Sequence, residues 1–75
     1  MIENNVAKIL SILLGQEISV GDDVSMQNQE LWDSMKHIEI ITTLEEELGV
    51  SFNIEDIPKL TSMQKIVEAI KDMEK

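Results

Sequence analysis

The chain has 75 residues and no cysteine, and its only aromatic residues are Trp32 and Phe52. Without cysteine it has no disulfide, no thiolate metal site and no cysteine nucleophile, so thiol chemistry has to arrive on a cofactor. This composition suits a reducing compartment. No apolar run approaches the length of a membrane span, and Glu3 stands where a signal peptide would carry basic residues, so a cytoplasmic protein is expected. Basic residues are also scarce, with 6 against 15 acidic ones and a formal charge of −9. That balance disfavours nucleic acid and anionic membranes and attracts basic partner surfaces. The length allows a single domain, residues 1–75, and leaves no room for a large enclosed active-site cavity. The core has few rigid plates. It is built from Ile, Leu, Val and Met, which rearrange around a guest more readily than aromatic rings do.

What is present is helical periodicity. The spacing predicts a first helix from Glu3 to Leu14, with Ile2, Val6, Ile9, Leu10 and Leu13 on one stripe, Ile12 and Leu14 broadening it, and Gly15 as its stop. Gln16 to Trp32 has no helical or strand period and reads as a long ordered loop. Ile18, Val20, Val24, Met26 and Leu31 are its pegs, and Gly21-Asp22-Asp23 marks a turn. A second helix is predicted from Ser34 to Leu48, closed by Gly49. Asn53 is placed to cap a short segment, Ile54 to Ile57, ahead of Pro58. Thr61-Ser62-Met63-Gln64 has a capping-box pattern and opens a last helix with Met63, Ile66, Val67, Ile70 and Met73 on one face, running nearly to Lys75. Val50 to Asn53 is too short and isolated for a sheet. The fold expected is all-α: a small four-helix bundle of three longer amphipathic helices and one short one, with the long loop between the first two.

Leu31-Trp32-Asp33-Ser34-Met35 places one serine where the loop becomes the second helix. Asp33 is an N-cap candidate, since its carboxylate can accept from the free amides of Met35 or Lys36, and Ser34 then opens the helix. At 100° per residue, Ile38, Ile40, Ile41, Leu44 and Leu48 fall on one side. Met35, Glu39, Thr42 and Glu46 align on the opposite side. This gives an acidic stripe with an apolar tip, suited to a basic groove with a hydrophobic socket. His37 projects toward the buried side as a core-edge residue, and no nucleophile, base and oxyanion set completes itself around it. Gly21-Asp22-Asp23-Val24-Ser25 lacks the alternating ligands of an EF-hand loop.

These residues resemble the acyl carrier proteins, small acidic helical bundles that hold acyl groups on a 4′-phosphopantetheine arm. The likeness covers nearly the whole chain. It rests on Asp33-Ser34-Met35 in place of the family's Asp-Ser-Leu, on Leu44-Glu45-Glu46-Glu47-Leu48, and on Leu60-Thr61-Ser62-Met63-Gln64 opening the last helix. The resemblance implies that Ser34 is the attachment point, modified from coenzyme A by a separate magnesium-dependent phosphopantetheinyl transferase, with Asp33 presenting the serine. It implies that Met35, Glu39 and Glu46 meet basic docking surfaces of that transferase and of acyl-loading and acyl-processing enzymes, with Thr42 on the same face. The chain is then a carrier and not an enzyme, expected to act as a monomer, with thioesters on the arm and the soft core as a shelter for an apolar chain. Trp32 stands where fatty-acid carriers usually have a small residue, Met35 replaces leucine, and Lys36-His37 adds basic character after the serine, changes that the resemblance puts on the recognition surface. Fatty-acid, polyketide and related biosynthesis therefore all stay open. The reading from a different class is a small acidic helical interaction module without a prosthetic group.

Overall fold

The computed structural model describes residues 2–73. Three α-helices follow one another: α1 at Ile2–Leu14, α2 at Ser34–Leu48 and α3 at Met63–Met73, with one 3-10 turn at Ile57–Lys59. The predicted continuation toward Lys75 lies outside the described residues. Among the described residues the fold is all-helical, without strands, and its fourth element is only this turn. The segment expected at Ile54 to Ile57 does not form a helix of its own. The carbonyl of Asn53 accepts from the amides of both Asp56 and Ile57 and makes a turn there, and the 3-10 turn begins at Ile57. Pro58 explains the shift. It disfavours α geometry at the residue before it, while its own fixed φ and missing N–H suit the start of a new turn.

α1 packs against both α2 and α3. Val6, Leu10 and Leu14 of α1, Ile40 and Leu44 of α2, and Ile66 of α3 are fully buried. Each such side chain contributes about 1.5–3 kcal/mol by leaving water. The first-helix stripe is confirmed except at one edge. Leu14 is buried and Ile9 and Leu13 pack against the core, but Ile12 is largely exposed, being on the far side of the Leu10–Leu14 line. Gly15, with φ 65°, ends the helix in the left-handed region as expected.

The long connection is ordered by a mixture of pegs and polar clasps. Ile18 and Val24 are buried and Met26 packs against the core, whereas Val20 and Leu31 are exposed. The peg nearest α2 is Trp32 instead. Ser11 of α1 accepts from the Ile18 amide at 3.0 Å, tying the loop to the helix it has just left. Further on, Met26 N–H donates to the Thr61 carbonyl and Met63 N–H to the Val24 carbonyl, both at 2.9 Å, around an isolated antiparallel bridge of Ser25 with Ser62. The loop thus docks on the start of α3. That contact also shifts the predicted cap. Ser62, one residue later than the Thr61-to-Gln64 pattern places it, accepts from the Lys65 amide, and Gln64 donates forward to Glu68 instead of back.

Candidate functional site

The boundaries of α2 come from its two ends. Asp33 has extended backbone and its Oδ1 accepts from the Lys36 amide at 2.8 Å, while its carbonyl takes the first intrahelical bond from His37. Gly49, at φ 66°, closes the other end, its N–H donating to Glu45. Ser34 is therefore the first helical residue, exposed, next to first-turn amides that have no partner inside the helix. The hydroxyl stands at the positive end of a 15-residue helix.

Around the α2 axis the buried arc is centred on His37, Ile40, Ile41 and Leu44. Met35, Glu39, Thr42 and Glu46 all lie on the opposite, exposed side, as predicted. Met35 is 84% exposed, an apolar side chain in solvent beside the serine. Ile38 departs from the expected arrangement. Helical spacing puts it with the buried residues, but it is 58% exposed, because it stands nearly a third of a turn, about 110°, off the centre of the buried arc at 100° per residue. The outer face thus carries two exposed apolar side chains, Met35 and Ile38. Its acidic character is also graded. Lys36 donates to Glu39 Oε1 at 2.7 Å, so Glu39 is already paired with a cation of its own helix. Glu45, at the margin of the buried face, turns inward and accepts from the Phe52 amide at 2.8 Å, holding the segment after α2 against that flank.

The feature absent from the sequence reading is the pairing of Trp32 with His37. Trp32 is 2% exposed and His37 6%. The indole N–H donates to His37 Nδ1 at 3.0 Å, and His37 Nε2 lies 2.7 Å from the Ile57 carbonyl oxygen. An indole nitrogen only donates and a carbonyl only accepts, so Nδ1 holds the lone pair, Nε2 holds the hydrogen, and the ring is the neutral tautomer. The two rings stack with centroids 6.0 Å apart and 25° between planes. His37 is thus a core-edge residue whose two nitrogens join the end of the loop, the first turn of α2 and the 3-10 turn. Trp32 and His37 therefore lie inside the fold and not on the recognition surface, where the departures from the carrier pattern are expected. The signal in the sequence was that the chain's one tryptophan and one histidine flank the serine, and each, once buried, needs a partner for its polar atom.

A cleft of about 540 Å³ lies between the 20–24 loop and α3, lined among others by Val20, Val24, Met63 and Val67, and no residue of α2 lines it. Among the described residues no group of His, Asp or Glu is placed to hold a metal ion, and no helix is long and apolar enough to cross a membrane. No protein-family model matches the chain.

Proposed function

We propose that this chain is an acyl carrier of the four-helix type, in which the 3-10 turn takes the place of the short helix, and that Ser34 carries a 4′-phosphopantetheine arm. The observation that carries the reading is the exposed serine at the capped start of α2, followed by Met35 in solvent and carboxylates at one-turn intervals on the same outer face. The sequence likeness to carriers, which extends beyond these residues to the opening of the last helix, also supports it. The residues at the site fit the group. The serine is exposed, the first-turn amides and the helix dipole favour a phosphodiester, and the Asp33 carboxylate, which opposes part of that gain, is bonded to the Lys36 amide.

On a separate magnesium-dependent phosphopantetheinyl transferase, Ser34 Oγ attacks the phosphorus of coenzyme A that bears the pantetheine. The new Oγ–P bond replaces the bond to adenosine bisphosphate, which leaves, and the hydroxyl proton passes to a base of the transferase. The arm supplies the thiol that this cysteine-free chain lacks, for holding acyl groups as thioesters. Asp33 keeps the serine at the helix start. Met35, Glu39, Thr42 and Glu46 form the surface that basic partners dock on, the apolar tip for a socket and the carboxylates for steering. We assign the carrier to the cytoplasm, acting as a monomer in fatty-acid, polyketide or related biosynthesis.

Incubation with coenzyme A, magnesium and a broad-specificity transferase is expected to add one phosphopantetheine mass to the protein, and Ser34→Ala to abolish the addition. A folded wild-type protein left unmodified by several transferases points to the interaction module without an arm. That module would bind its partner equally well with Ser34→Ala and lose it on charge reversal at Glu46.

A further inference from the structure

We propose that Trp32 and His37 are specificity-determining residues that bar the interior of the bundle to long apolar cargo, so that Ser34 carries short or polar acyl groups held outside the fold. This rests on the carrier reading. Ser34 stands on the border between the outer and buried faces of α2, and its neighbours one and two turns along on the inner side are His37 and Ile41. Two approaches from Ser34 to Ile40, Leu44 and Ile66 lie on its inner side, one between α2 and the 57–59 turn and one where the loop joins the helix. The Trp32–His37–Ile57 chain of hydrogen bonds spans both routes.

The chemistry of the seam matters as much as its position. An aliphatic seam opens by exchanging one set of dispersion contacts for another, which an apolar guest restores. Here the seam is a buried indole and imidazole, stacked and joined to each other and, by a part-buried bond, to the carbonyl of the half-buried Ile57. Opening it leaves a buried indole N–H and an imidazole N–H and lone pair without partners, and an alkyl chain satisfies none of them. A soft aliphatic core lies behind this barrier, but the entry beside the serine is polar and closed.

The test uses the absence of cysteine from the chain. Ser34→Cys creates a unique thiol, which is alkylated with an iodoacetamide on a pantetheine-length spacer ending either in an octyl chain or in an acetyl group. Methyl resonances of Ile, Leu, Val and Met and the Trp32 indole N–H are then compared between the two adducts. The expected result is that octyl and acetyl adducts differ only at Met35, Ile38 and other exposed neighbours, with Ile40, Leu44, Ile66 and the indole N–H unmoved. Octyl-specific shifts of those core methyls overturn the proposal. In the same background Trp32→Phe, which keeps a ring but removes the donor, and His37→Ala are expected to let the octyl chain shift the core methyls. Folded variants that stay as unresponsive as their parent also overturn it. Because the arm is attached chemically, these outcomes do not depend on any transferase. Failure of the carrier reading appears separately, as the missing phosphopantetheine mass on the wild-type chain.

Discussion

Asp33 is where a single side chain has most control over the site. Its carboxylate occupies one of the four amides that the start of α2 leaves free, and its own backbone stays extended so that Ser34 is the first helical residue. Asp33→Ala is expected to lower stability by about 1 kcal/mol, as loss of such caps does. Urea unfolding measures that loss, and transferase-catalysed modification of Ser34 should slow as the first turn frays. Asp33→Asn keeps an acceptor oxygen and should restore most of the stability. This cap was legible in the sequence because capping is a relation between residues three apart. The Trp32–His37 contact was only half legible. His37 falls inward by helical geometry, but Trp32 precedes the helix, and the third partner, the Ile57 carbonyl, lies 20 residues beyond His37, so no local spacing points to either.

At the scale of the element, α2 is an amphipathic helix with a stop that depends on glycine. A Cβ added at Gly49 would meet nothing within 4 Å, so the penalty of Gly49→Ala comes from backbone conformation alone at φ 66°. It is expected at about 1 kcal/mol by thermal or urea unfolding, with no change in the outer face. The outer face itself predicts a charge effect on partners. Glu46→Lys and Glu39→Lys should each slow association with the transferase, and the wild-type rate should fall as salt rises, both measurable by stopped-flow or by the time course of the mass shift. Glu39→Lys in addition removes the ion pair with Lys36, an exposed contact, so its extra effect on helix stability should be small. A salt-independent rate would assign recognition to Met35 and Ile38 by shape. The extent of α2 and its exposed stripe were readable because 3.6 residues per turn fixes which side chains share a face. The short helix before Pro58 was misread, since the pattern of polar and apolar residues there does not distinguish a turn closed by Asn53 from a helix.

For the whole molecule, the loop and the helix ends are tied by a few contacts distant in sequence. Lys71 of α3 donates to Glu3 of α1 at 2.6 Å, and that hydrogen bond, before any other influence, holds the Glu3 carboxyl below its usual value. A group whose folded value is depressed stabilises the fold above its unfolded value, and the gain is lost as pH falls through the folded one. Glu3→Gln should therefore be slightly less stable than wild type at neutral pH, with the gap closing in acid, as unfolding curves across pH would record. By itself the sequence determined the helices α1, α2 and α3, the capped serine at the start of α2 and the stripe of Met35, Glu39, Thr42 and Glu46, because periodicity and capping act between near neighbours along the chain. Only the tertiary structure decided that the long loop clasps Ser11 and docks on α3, that Val20, Leu31 and Ile38 face solvent, and that Trp32 and His37 close the seam beside Ser34. Those outcomes depend on which buried polar group finds which partner across the fold, and that is settled only when the elements pack.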